Sequence, residues 1–141
     1  MPGRTIRDLF YLSMTKTAKR EFGDWGEEQS CLFLVRQGYE IIERNFVTRR
    51  GEVDIIAWGS DPRLGRVLCF IEVKTRTRDD GFAEYATNWE KIQRIHRAAE
   101  YYCYVRKVKL DETFIRFEHI SVYANRDENS VSFKKYVLPA Y

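Results

Sequence analysis

The sequence has little of what would build a metal or disulfide framework. Its three cysteines, Cys31, Cys69 and Cys103, lie far apart and form no C-x-x-C pair, which excludes a zinc-ribbon spacing and a disulfide scaffold. Each falls in an apolar run and is expected as a reduced core thiol. The two histidines, His96 and His119, are isolated in sequence and are expected to serve packing or the surface rather than a metal. No apolar run approaches the ~20 residues that cross a bilayer, and the N-terminus lacks a continuous apolar segment of signal-peptide type. The expectation is a cytoplasmic protein without membrane contact. Internal repeats and low-complexity tracts are missing too. So is a strong excess of one charge: 24 Lys and Arg against 21 Asp and Glu leave a net +3, which permits nucleic acid as a partner without requiring it.

What is present is a core-forming chain of single-domain length, with 141 residues of which 44% are hydrophobic,. Its most informative stretch is Arg50-Gly51-Glu52-Val53-Asp54-Ile55-Ile56-Ala57 read with Val67-Leu68-Cys69-Phe70-Ile71-Glu72-Val73-Lys74. Two short β-branched runs separated by the turn-rich residues 59–65 predict a hairpin with a longer loop. A turn centred on Arg63 sets Asp54 opposite Glu72 and Glu52 opposite Lys74. Alternation then puts all four on one face, with directly opposed Cβ atoms ~4.5–5.5 Å apart. Two carboxylates that close destabilise a sheet unless they share a proton or hold a cation, and carboxylate oxygens suit Mg²⁺ or Mn²⁺. The alternative is a polar face turned to water. Ile56, Leu68 and Phe70 continue the same face, however, so a covering element is expected and the charges fall at the rim of a covered sheet.

The remaining elements follow in order. Residues 1–21 read as a basic arm (Arg4, Arg7, Lys16, Lys19, Arg20) and residues 22–141 as the folded domain,. Residues 22–37 predict a helix whose second half, Leu32 to Val35, is apolar nearly all round and therefore buried. Gly23 and Gly26 are costly there, about 1 kcal/mol each relative to Ala, and suggest a close approach of backbone or ligand. Glu27 shares a stripe with Cys31 and Leu34, yet the residues alone favour a surface glutamate near the helix N-terminus. Gly38 ends this helix, and Tyr39 to Val47 is a strand. Thr75 to Tyr85 is polar and reads as a mobile loop, with Arg76 on the Lys74 face if the strand continues. Thr87-x-x-Glu90 resembles a capping box opening a second helix. Ile92, Ile95, Ala99, Tyr102 and Cys103 line one side of it; Lys91, Arg94, Arg97 and Tyr101 gather on the other. That basic stripe is either an ordinary solvated face or a phosphate-binding face with an aromatic for stacking. Strands at Thr113–Tyr123 and Val131–Val137 complete an α/β domain with a mixed sheet flanked by helices.

Asp54, then Glu72-Val73-Lys74 on the next strand, after a helix carrying Glu27, resembles the PD-(D/E)XK nuclease superfamily. The ordered set Gly23-x-x-Gly26-Glu27, Gly38-Tyr39, Arg44-Asn45-Phe46, Gly51-Glu52-Val53-Asp54-Ile55-Ile56-Ala57, Glu72-Val73-Lys74-Thr75-Arg76, Lys91-x-x-Arg94 and Arg116-Phe117-Glu118 is similar to the YraN family of small bacterial proteins. The core of that family is in turn similar to archaeal Holliday-junction resolvases. The resemblance implies a restriction-endonuclease-like αβββαβ core and Mg²⁺-dependent phosphodiester cleavage. It implies Asp54 and Glu72 as holders of one or two divalent ions with the Val73 carbonyl, Lys74 and Glu27 as catalytic groups, and Arg76, Lys91 and Arg94 as phosphate contacts. For Glu27 it reverses the surface reading. Val53-Asp54 stands where the superfamily has Pro-Asp, Trp89 where many family members have proline, Glu118 where aspartate is usual and Tyr136 in place of a histidine; none of the last three touches the Asp54–Glu72–Lys74 set. The rival reading is a nucleic-acid-binding module on a nuclease scaffold, without turnover; a third is a protein-interaction subunit of a DNA-processing assembly. Symmetrical cleavage of a four-way junction would further require a homodimer.

Overall fold

The β-branched runs form the expected hairpin. The computed structural model describes residues 14–77, 89–125 and 128–139. Strand β1 spans Glu40–Val47, β2 Glu52–Asp61 and β3 Gly65–Arg76. Partners on β2 and β3 run from Ile55↔Ile71 to Asp61↔Gly65, the register of a turn centred on Arg63. The loop is tighter than residues 59–65, because Asp61 closes it: its Oδ1 accepts from the backbone N–H of Arg63 at 2.8 Å and of Leu64 at 3.0 Å. Gly65 supplies the φ of +80° needed to re-enter the ladder,.

The first helix, α1, covers Lys16–Arg36 and so begins before the expected residue 22. Thr15 sets the start, its hydroxyl accepting from Ala18 N–H at 3.1 Å as an N-cap,. Lys16, Lys19 and Arg20 of the expected basic arm are therefore helical; residues 1–13 lie outside the described residues. Gly38 ends the helix as expected. With φ +92° it lets Gly38 N–H reach Val35 O and Tyr39 N–H reach Leu34 O, a Schellman closure,. The helix end is buried on one side only: Leu34 is fully buried, while Leu32 is 45% and Val35 56% exposed. The apolar run overpredicts burial because α1 lies on one face of the sheet and no described element covers its back.

The second helix, α2, spans Trp89–Val105 and leads through a short 3-10 turn to β4, Phe114–Asn125, and β5, Ser130–Leu138. Thr87 of the proposed capping box lies outside the described residues. The sheet order is β1-β2-β3-β4-β5, with β3 and β4 parallel and all other neighbours antiparallel. A parallel pair needs a crossover, and α2 supplies it. The result is an α/β fold with the αβββαβ order expected of a restriction-endonuclease-like core, extended by β5.

Alternation along β3 separates two cores. Val67, Cys69 and Ile71 pack under α1 with Leu34, Ile55, Ala57, Ile120 and Val122. Leu68 and Phe70 pack under α2 with Ile56, Ile95, Ala98, Ala99 and Tyr102. The apolar side of α2 is the one its spacing predicts, and Lys91, Arg94, Arg97 and Tyr101 lie on the other. Fully burying an Ile, Leu or Phe contributes roughly 1.5–3 kcal/mol, so the hairpin clamped between the two helices is a firm base for whatever its open end carries. Cys69 and Cys103 are buried, Cys31 is partly so, and all three are free thiols, as expected. His96 packs on Phe117 and its Nε2 meets the Pro139 carbonyl at 3.0 Å, a packing histidine as its sequence context suggested.

Candidate active site

At the open end of the hairpin the regular alternation breaks. On β1 and β2 the pairs Arg44↔Ile55 and Phe46↔Val53 flank a position held by Asn45 and Asp54. Asn45 has φ +53°, a left-handed conformation that asparagine tolerates better than other side-chain-bearing residues. Both strands change phase there. Ile55 belongs to the core under α1, but Val53 and Phe46 belong to the core under α2. Asp54 is thereby turned out of both cores and toward β3, where its Oδ2 accepts the Val73 N–H at 2.8 Å. The expected ladder pairs Asp54–Glu72 and Glu52–Lys74 do not form, because pairing stops at Ile55↔Ile71 and the side chain of Asp54 takes a backbone donor of β3. The strands part around the carboxylate instead of facing it across a rung.

The parting opens a cleft of about 710 Å³ lined by Glu27, Glu52, Asp54, Glu72, Val73 and Lys74, with Lys19, Arg49, Arg50, Lys91 and Arg94 around it. Glu27 is brought in by Gly26. A Cβ at position 26 would stand 1.8 Å from Thr75 Oγ1, so only glycine lets α1 press this close to β3. Gly23 also lines the cleft. Gly51 fixes the opposite wall: a Cβ there would lie 2.4 Å from the Arg94 carbonyl, and the β1–β2 turn rests on α2 at that point. Thus five elements, α1, β1, β2, β3 and α2, meet at one cleft, and two glycines set how closely the helices approach.

The electrostatics are uneven. Burial pushes the Asp54 carboxyl up to about 7, and the carboxylates of Glu27, Glu52 and Glu72 push the same way against the single Val73 N–H,. Burial also raises Glu27, opposed by Arg44 at 4.0 Å. Burial acts on Glu72 in the same sense, but it is outweighed: His119, Lys91 and Lys74 hold Glu72 below the usual carboxylate range. Desolvation and the like charges of Lys91 and Arg76 lower Lys74. Arg76 is in β3 rather than a loop, and it is not among the residues that line the cleft; its charge acts on Lys74. Lys91 and Arg94 do line it.

His119 was not legible as part of this site. It is 5% exposed, lies beside Glu72 in the parallel β3–β4 register, and points Nδ1 at Glu72 Oε2 at 3.7 Å, an ion-pair distance rather than a hydrogen bond,. Its Nε2 meets Ser121 Oγ at 3.1 Å. The available signal was long-range: aligning the apolar runs 67–71 and 114–118 in parallel places His119 next to Glu72. Asn45 and Arg44 were visible as a motif, but their task of turning Asp54 and neutralising Glu27 was not.

The donor set suits a hard divalent cation. Among the described residues no three or more His, Cys, Asp or Glu side chains converge as a ready-made metal centre. Mg²⁺, however, is commonly held by one or two carboxylates with water and substrate phosphates completing the shell. Asp54, crowded by three acidic neighbours and pushed to about 7, is the carboxylate that such a cation would relieve.

A family model described as uncharacterised protein family UPF0102 matches residues 26–122, which include Glu27, Asp54, Glu72, Lys74 and His119. The chain is similar to several curated UPF0102 proteins. It is 41% identical over 108 residues to the one from Caldicellulosiruptor saccharolyticus, covering 76% of this chain and 86% of the relative. The protein of Alkaliphilus metalliredigens is 36% identical over 110 residues, 77% of this chain and 90% of that one. That of Desulforamulus reducens is 36% identical over 123 residues, 86% and 96%.

Proposed function

The chain belongs to the uncharacterised protein family UPF0102, the YraN family, and from that premise and the cleft we propose that it is a divalent-metal-dependent endonuclease hydrolysing phosphodiester bonds in DNA. The carrying observation is the layout of charge: carboxylates at the floor, Asp54 among them with too little compensation, and Lys74, Lys91, Arg94, Arg49 and Arg50 at the rim. Anions at the floor repel phosphate unless a cation stands between them, and a module that only bound nucleic acid would gain nothing from them. Among the described residues no helix is long and apolar enough to cross a membrane, which accords with a cytoplasmic site of action on DNA.

Asp54, Glu72 and the Val73 carbonyl would hold Mg²⁺ or Mn²⁺, which supplies Lewis-acid stabilisation of the charge that develops on the scissile phosphate. The chain's own residues do the rest. Val73 N–H fixes Asp54, and the His119 ring faces Glu72 from 3.7 Å. Lys74, lowered by desolvation, orients the attacking water and takes its proton or offsets the developing charge. Glu27 accepts a hydrogen bond from the same water. Lys91 and Arg94 position the flanking phosphates. A junction-resolving activity would require two such sites and hence a homodimer.

The test is product formation from single-stranded, duplex, flap and four-way-junction DNA with Mg²⁺ or Mn²⁺, by wild type, Asp54→Asn and Lys74→Ala. Both variants should lose roughly a hundredfold or more in rate, since several kcal/mol of charge stabilisation depend on this site. They should part in metal-free binding: Asp54→Asn removes a charge that repels phosphate and binds as well as wild type or tighter, whereas Lys74→Ala does not tighten. Full activity in Asp54→Asn removes the nuclease reading from this cleft. No cleavage by wild type on any substrate leaves a DNA-binding module on a nuclease scaffold.

A further inference from the structure

The basic lining does not stop at the cleft. Arg49 and Arg50 sit on a turn that is held rigidly: Thr48 N–H donates to Gly51 O at 2.8 Å, and Thr48 Oγ1 accepts from the N–H groups of Arg50 and Gly51, each at 3.1 Å. This turn is a shared wall. On its other side lies a second hollow of about 850 Å³ whose lining includes Arg49, Arg50, Arg97 and Tyr101, with Glu100 as the one acidic residue among the described residues that line it. Among the described residues, Glu27, Glu52, Asp54 and Glu72 line the first hollow and not the second, and Arg49 and Arg50 line both. Among the described residues, Arg106 pairs with Glu43, a pair that takes up neither Arg49, Arg50, Arg94 nor Arg97.

Tyr101 gives the second hollow its character. It is 53% exposed and stacks at 29° and 6.2 Å on Phe46, which is held edge-on by Tyr102 at 5.2 Å and lies under the Arg106 guanidinium. One ring face is thus backed by a fixed aromatic, and the residue remains open to solvent. Along α2, Arg94, Arg97 and Tyr101 succeed one another at three- and four-residue steps and so lie on one face. Arg94 and Tyr101 are about 10 Å apart along the axis, a span one nucleic-acid strand can follow without leaving the arginines.

We infer that this second hollow is a subsite for an unpaired nucleobase on the strand that enters the cleft, stacked on Tyr101 with its phosphates on Arg49, Arg50 and Arg97. Duplex DNA can reach the arginines but keeps its base faces stacked inside the helix, so Tyr101 selects strands with a single-stranded segment beside the scissile bond. This inference rests on the nuclease reading of the cleft, and it specifies the substrate.

The test uses the full chain, first in EDTA, with a single-stranded oligonucleotide carrying 2-aminopurine and a blunt duplex of the same sequence. Tyr101→Ala should bind the single strand about tenfold more weakly, lose the change in 2-aminopurine fluorescence, and leave duplex affinity and the salt dependence unchanged. Tyr101→Phe should restore both binding and fluorescence. Arg97→Gln should keep the fluorescence change but lower the salt slope by about one. Wild-type affinity and fluorescence in Tyr101→Ala overturn the subsite, even if the protein cleaves DNA with Mg²⁺. Tyr101-dependent stacking without cleavage of any substrate overturns the nuclease reading and keeps the subsite. A wild type that binds no nucleic acid overturns both.

Discussion

Glu118 and Asp54 are acids taken out of water by one sheet, and their surroundings are opposite. Glu118, at 0% exposure, receives the Tyr39 hydroxyl at 2.9 Å on both oxygens and the Lys135 ammonium at 2.5 Å. Arg116 adds its guanidinium at 3.8 Å and reaches on to Asp61 at 3.5 Å. Every charge in that cluster faces an opposite one. Asp54 receives one backbone N–H, shares a side-chain hydrogen bond with Glu27 and faces three acids. The first arrangement balances its charge within the chain; the second does not. Burial raises Asp54 most, but Glu118 is buried too, so the contrast between them lies in their partners, and it marks the cleft as the place where a bound cation would gain most.

The largest effect that would break this contrast is expected at Glu118. Glu118→Ala leaves the Lys135 ammonium half-buried beside Tyr39 without its anion. Removing one partner of a buried pair costs roughly 3–5 kcal/mol, to be read as a lowered urea midpoint with unchanged slope. Stability equal to wild type would show that the cluster is not self-sufficient.

The next effect is the pH dependence of Asp54. Its carboxyl moves from 3.8 in the unfolded chain to about 7 in the fold. Below 3.8 both states are protonated and the residue costs nothing. Between the two values the unfolded chain has given up the proton and the folded chain keeps it, so stability falls as pH rises, by about 1.4 kcal/mol per unit at most. Above about 7 the full cost stands. Asp54→Asn in EDTA should therefore be more stable than wild type, by a margin that widens from about pH 4 to about 7 and narrows when Mg²⁺ is added to wild type,. Glu72, held low, works in the other sense: its contribution is present above its unfolded pKa and fades in acid. Parallel stability–pH curves for wild type and Asp54→Asn would mean that Asp54 is satisfied after all.

The smallest effect sharpens the outer boundary of the uncompensated region. Replacing Lys91 and Arg94 by Ala should weaken DNA binding and flatten its salt dependence by a slope of about one for each phosphate no longer neutralised. An unchanged slope would return this face of α2 to ordinary solvated charge.

Local pattern carried much of this protein. The β-branched runs 50–57 and 67–74, with a turn between them, were enough for the hairpin and its register from Ile55 to Asp61. The Gly38 helix stop and the apolar side of α2 were also readable from spacing, because turn chemistry and periodicity act over a few residues. Resemblance, rather than periodicity, singled out Glu27 as a site residue; the helix pattern alone left it on the surface. Tertiary structure decided the rest. The phase change at Asn45 and Asp54 needs two strands to form before it exists, and it replaced the expected rung between Asp54 and Glu72 with the Asp54–Val73 bond. His119 reaches Glu72 only across a parallel pair joined through α2, and Gly26 admits Glu27 only because Thr75 of another element stands in the way of a side chain. These are meetings of residues far apart in the chain, and no local propensity encodes them.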